Sequence, residues 1–271
     1  MLNRQTTGSV VCVSCGYLVG VNDERCYNCG RRNPGLWGFA TAVRRLGNDL
    51  GFVPFVMGTC GLAFLLSLYM SEGAIGGGGL FNLLSPSPYA LVQMGAAGKV
   101  PVLLMHRWWS LLSANWLHGS LMHIVFNLYF IRMVAPSVAE LYGPGRTVII
   151  YTVGGIAGFA LSSIAGSQVT VGASAAIFGL MGALLHYGRR TGSSHISSQV
   201  LYLAGFNFLI GFLGSGIDNF AHAGGFAGGF LIAMALDPLK PERIDHMVIA
   251  LACIVLSLVS LVVSVLVPIG L

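Results

Sequence analysis

Seven apolar stretches recur along the second half and middle of this chain, near residues 53–70, 115–135, 147–166, 171–188, 199–214, 218–236 and 247–268. Several are about 16–22 residues long, close to the length at which a helix crosses the hydrocarbon of a bilayer. In lipid each backbone group must find its partner within the chain, so these stretches are expected to be helices. They are preceded by a polar, cysteine-rich segment, 1–35, and a mildly basic linker, 36–52, containing Arg44, Arg45 and Asp49. One connection is long: residues 71–114 hold Gly76 to Gly79, a Ser85-Pro86-Ser87-Pro88 turn and apolar patches around Tyr89 to Met94. It is too apolar for a plain linker, and a partly embedded loop structure is expected.

Composition agrees with lipid as the solvent. Of 271 residues 55% are hydrophobic and 8% charged, against roughly 25% charged in soluble domains. This argues against an ordinary cytosolic enzyme, a disordered scaffold or a nucleic-acid-binding domain. The start, MLNRQTTGSVVC, has no apolar signal core, so no cleaved signal peptide is expected. The net charge of +5 sits in short clusters between apolar runs. With the N-terminus inside, twelve Lys and Arg fall in inner segments and only Lys99 and Arg107 in outer ones. The positive-inside bias therefore predicts a multi-pass protein, of the plasma membrane, with a cytoplasmic N-terminus and an outer C-terminus.

Cys12-x2-Cys15 and Cys26-x2-Cys29 are each followed by glycine. Two such knuckles suit four thiolates around one structural zinc ion, with no open position for hydrolysis. Two disulfides or a redox pair is the alternative, which the reducing side of the membrane disfavours. The module is open to a cytoplasmic partner, to a regulatory role or to simple capping of the N-terminus.

Polar residues inside apolar stretches are the informative ones, because each is expensive unless partnered. Three groups stand out. His123 and Asn127 lie four apart, on one helix face, while His118, five before His123, is expected to point elsewhere as a buried packing residue. Gly172-Ala-Ser174 opens the fourth stretch, where Gly172 permits a sharp turn and Ser174 sits near a helix N-terminus. His222, Gly225 and Gly229 share a side of the sixth stretch, with small-xxx-small faces that admit close helix approach, as do Gly224 and Gly228. Close packing of the fourth and sixth stretches would bring Ser174 and His222 into hydrogen-bond reach, as a serine nucleophile and its base require. His123, Asn127 and the Ser174 backbone N–H would then donate to a developing oxyanion. Asp218, four before His222, suits a helix N-cap better than a third catalytic member. A transporter would need polar residues through the full depth, and no His-Glu-x-x-His motif suggests a metalloprotease.

On His118…His123-x3-Asn127, Gly172-x-Ser174 and His222-x2-Gly225-x3-Gly229, in that order, residues 50–236 resemble the rhomboid family of intramembrane serine proteases. Leu91 to Leu117, with Trp108-Trp109, resembles the family's first loop. The resemblance implies an all-α polytopic fold with a six-helix core over 53–236, which a seventh transmembrane helix in 237–271 and the small zinc ribbon expected in 1–35 extend. It implies a Ser174–His222 dyad without an acidic partner, and no cofactor is expected for catalysis. An oxyanion site of His123, Asn127 and Ser174, and a loop-stabilising His118, are implied too. The substrates would be transmembrane proteins, cut near the outer membrane face. A non-catalytic relative that binds membrane proteins is the alternative. Where the family loop often carries Trp-Arg, Trp109 is followed here by Ser110, with Arg107 on the other side.

Overall fold

The structure, a computed structural model, describes residues 4–13, 15–44, 46–77, 79, 82–213 and 216–269. Arg45, Gly78 and Gly214, which figure in the expectations above, lie outside the described residues. The chain divides into two compact units, Met1–Phe52 and Val53–Leu271.

In the first unit, strands β1 (Ser9–Val11) and β2 (Leu18–Gly20) pair antiparallel with Val10 opposite Val19. Alternation puts Val10 and Val19 on one face, where they join Cys12, Val21, Cys26 and Ala40 in a small core. Ala40 opens the short helix α1 (Ala40–Arg44).

The second unit is helical. Helix α2 spans Phe52–Tyr69. The long connection folds into α3 (Pro88–Gln93), a π-helical turn (Lys99–Leu104), α4 (Ser110–Ser113) and a 3-10 turn (Ala114–Trp116). Then come α5 (Leu121–Tyr142), α6 (Pro144–Ala165), α7 (Ser174–Thr191), α8 (Ser194–Leu213), α9 (Asn219–Ala235) and α10 (Ile244–Leu266). Among the described residues four helices, α2, α5, α6 and α10, are long and apolar enough to cross a membrane. α7 and α9, at 18 and 17 residues, are rich in small and polar residues.

Two boundaries differ instructively from the apolar pattern. Ser120 accepts the His123 N–H at 3.3 Å and caps α5, so the helix begins six residues after the apolar stretch does. At its other end Pro136 lies inside the helix rather than ending it, and α5 runs on to Tyr142. The 71–114 connection is no free loop: Ala90 to Ala97 are all buried. It is tied by backbone bonds to the segment before α7. Ala97 and Thr170 exchange N–H···O bonds at 3.0 and 2.9 Å, and Gly172 N–H donates to the Ala114 carbonyl at 3.0 Å.

Helices α6, α7 and α9 pack through glycine. A Cβ at Gly225 would overlap the Ala175 carbonyl oxygen, and one at Gly229 the Gly179 carbonyl. Gly224 and Gly228 face Ala157 of α6 instead. The two small-residue faces of α9 thus serve two different neighbours.

Candidate active site and metal centre

The site gathers at the N-terminal ends of three helices. Ser174 is the first residue of α7, His222 the fourth of α9 and His123 the third of α5. His222 Nε2 lies 3.0 Å from Ser174 Oγ. The imidazole stacks on Phe178, with ring centroids 4.2 Å apart and planes 12° from parallel. Phe178 was not singled out from the sequence, although its place four residues after Ser174 puts it on the same face of α7.

The other ring nitrogen, His222 Nδ1, is buried without a hydrogen-bond partner. Asp218 is engaged elsewhere. It caps α9 by accepting the Ala221 N–H at 3.0 Å, and the Ser162 hydroxyl also donates to it. No carboxylate therefore orients His222 among the described residues.

Gly172 has φ +130°, a conformation that disfavours any side chain, and a Cβ there would sit 2.7 Å from His123 Nε2. His123 therefore reaches the turn that delivers Ser174. Its Nδ1 accepts the Gly119 N–H at 3.3 Å, which leaves the proton of a neutral ring on Nε2, on the Ser174 side. Asn127 Nδ2 donates to the His123 carbonyl at 2.9 Å, and its amide keeps a second hydrogen.

His118 departs from the expectation that it points away from His123. It lies before α5 begins, so helical spacing does not govern it. Its fully buried ring stands edge-on to His123, with centroids 5.2 Å apart at 71°, and neither nitrogen has a hydrogen-bond partner.

Because α7 and α9 meet through main-chain atoms, the Ser174–His222 separation depends on Gly225 and Gly229. Gly225→Val is expected to destabilise the protein by about 1–3 kcal/mol through overpacking. The check is a lower Tm in detergent, together with a weaker reaction of Ser174 with a serine-directed probe.

In the N-terminal unit the sulfur atoms of Cys12, Cys15, Cys26 and Cys29 lie within 4.8 Å of one another. Cys12 and Cys29 are 3.8 Å apart and Cys15 and Cys26 3.6 Å apart. Four thiolates bound tetrahedrally at about 2.3 Å from a metal stand about 3.8 Å apart, so the set fits one ion. The knuckles have matching backbones. Gly16 and Gly30, at φ +75° and +72°, donate to the Cys12 and Cys26 carbonyls at 3.0 and 2.9 Å. Without a cation the thiols of Cys15 and Cys29 titrate apart. At Cys15 burial opposes ionisation, but hydrogen bonds from the Tyr17 backbone, Asn28 and two neighbouring cysteines bring the thiol down to about 6. At Cys29 the Arg31 backbone favours the thiolate, yet burial and the neighbouring thiols push it up to about 11. Four crowded sulfurs cannot all carry charge unless a metal balances them. The four cysteines fit a zinc-ribbon-like module.

Comparison with known proteins leads to the same region. A family model of the rhomboid domain matches residues 105–239. RHOMBOID-like protein 4 of Arabidopsis thaliana is 36% identical over 163 residues, 57% of this chain and 40% of that protein. Rhomboid protease GluP of Bacillus subtilis is 36% identical over 155 residues, 56% of this chain and 30% of that protein. Inactive RHOMBOID-like protein 8 of Arabidopsis thaliana is 35% identical over 150 residues, 53% of this chain and 42% of that protein. The match thus covers less than half the length of each of these three relatives. This multi-pass membrane chain thus carries a rhomboid domain over residues 105–239.

Proposed function

We propose that this chain is an intramembrane serine endopeptidase that cuts transmembrane helices near the outer membrane face. The observation that carries the reading is the 3.0 Å approach of His222 Nε2 to Ser174 Oγ. As Ser174 Oγ attacks the substrate carbonyl carbon, His222 Nε2 takes its proton. The charge that grows on the carbonyl oxygen is met by three donors: the Ser174 N–H at the start of α7, His123 Nε2–H and the free Asn127 amide hydrogen. Collapse of the tetrahedral intermediate breaks the C–N bond. His222 returns the proton to the leaving amine, and the acyl group stays on Ser174. Water then attacks the ester, His222 again serving as base, and the new carboxylate leaves.

The Lys and Arg bias supports an inner N-terminus, which places the N-terminal ends of α5, α7 and α9 toward the outer face, where water reaches the dyad. In this reading seven helices span the plasma membrane, six in the core over 53–236 and the seventh in 237–271. Residues 1–35 form a cytoplasmic module, joined by the linker 36–52. Cys12, Cys15, Cys26 and Cys29 would hold a structural zinc ion, which supplies cross-linking and no catalysis, on a surface open to a cytoplasmic partner. A peptide bond inside a helix is shielded, so substrates should carry small or helix-breaking residues near the cut.

One relative is named inactive, so a non-catalytic membrane-protein binder is the competing reading. A fluorophosphonate added to the purified full chain separates the two. A single adduct on Ser174, with cleavage of a reconstituted transmembrane reporter, is expected. No adduct and no cleavage would leave only the binder.

A further inference from the structure

The last turn of α10 presents carbonyls with no partner in their own helix, and lipid offers none. Side chains of the 93–116 segment supply the donors. Gln93 Nε2 lies 3.0, 3.1 and 3.2 Å from the carbonyls of Ser264, Val265 and Val267. Arg107 donates to the Val267 and Ser264 carbonyls at 3.0 and 2.8 Å, and to the Gln93 carbonyl at 3.2 Å. Trp109 Nε1 donates to Ser264 Oγ at 3.0 Å, and the Ile269 N–H donates to Gln93 Oε1 at 3.1 Å. Both Gln93 and Arg107 are buried, and the Arg107 cation suits the negative end of a helix dipole. The Trp109-Ser110 departure from the family's Trp-Arg is thus met by Arg107 from the other side.

The same segment leads to the site. Ser113 Oγ donates to the Gly95 carbonyl at 2.8 Å, and Ala114 accepts the N–H of Gly172, two residues before Ser174. We propose that α10 is a working part of the site: its C-terminal carbonyls, gripped by Gln93 and Arg107, lock the 93–116 segment and, through Ala114 and Gly172, the position of Ser174. Gln93 and Arg107 are positioning residues, and the effect on turnover rests on the protease reading above.

The test uses the full chain in detergent, with Arg107→Met, Arg107→Lys and the milder Trp109→Phe. Hydrogen exchange followed by mass spectrometry reads the lock without any catalysis. In Arg107→Met, exchange over 94–116 should accelerate about tenfold or more while α6 and α9 keep their protection. On a transmembrane reporter kcat should fall about ten- to a hundredfold at unchanged KM. Arg107→Lys, which can still donate to a carbonyl, should recover part of both, and Trp109→Phe should move both in the same direction by less. Unchanged exchange over 94–116 in Arg107→Met and Trp109→Phe overturns the proposal, as does a loosened segment with wild-type kcat. Uniform loss of protection in Arg107→Met passes the decision to Trp109→Phe. A wild type that neither cleaves nor reacts with fluorophosphonate sinks the protease reading instead, and the lock then stands or falls on exchange alone.

Discussion

Ser174→Ala and His222→Ala should each lower kcat by about three to six orders of magnitude, and the double variant should fall no further. In the proposed mechanism the hydroxyl and the imidazole act as one unit. Without the base, Oγ stays protonated and attacks poorly. Without Oγ, the base has nothing to activate. KM for a transmembrane substrate should change little, since neither group is expected to contribute much to holding a helix in the membrane. Single-turnover cleavage of a reporter in liposomes measures both quantities. Additive losses in the double variant would mean that the 3.0 Å approach of the two side chains is not used in the chemistry. His123→Ala should fall short of these losses, at about a hundred- to a thousandfold, because two other donors remain for the oxyanion.

The second large effect concerns the cysteines. Chelation should unfold the N-terminal unit while the helical unit keeps its Tm. Among the described residues the small core of this unit consists of Val10, Cys12, Val19, Val21, Cys26 and Ala40. Side chains of this size bring about 1.5–3 kcal/mol each at most. Ordering the backbone costs about 1–2 kcal/mol per residue, which such a core cannot offset. In small modules of this kind the binding of zinc is coupled to folding, so its removal should unfold them. Limited proteolysis with and without chelator should show new cuts before residue 45 only in the chelated sample. Cobalt in place of zinc should give the absorption of a tetrahedral four-sulfur site. A ribbon equally resistant in both conditions, or cysteines that refuse alkylation because they are oxidised, would contradict the assignment.

The pairing of Ser174 with His222 was legible in the sequence because its signals are local. Each residue lies close to a helix start, and the Gly225/Gly229 stripe announces how near the neighbouring backbone must come. The cysteine knuckles were legible for the same reason. His118 was misplaced because the apolar stretch from 115 hides a turn, and only the Ser120 cap marks where helical spacing begins. Phe178 looked like any core aromatic. The grip of Gln93 and Arg107 on α10 and the residues just after it joins positions 157–176 apart. A polar residue in an apolar run says that it needs a partner, but not which one. Nothing in the pattern around Ser264 distinguishes its carbonyl from those of its neighbours.

The glycine seams of α9 have a bearing on how the molecule tolerates its surroundings. Where two rods touch through their peptide groups, no bulky rotamers stand between them to be frozen out or rearranged. The helices that carry Ser174 and His222 are then held at a separation that main-chain contact sets. Changes of acyl-chain length, or exchange of the lipid-facing leucines and valines, should leave that spacing untouched.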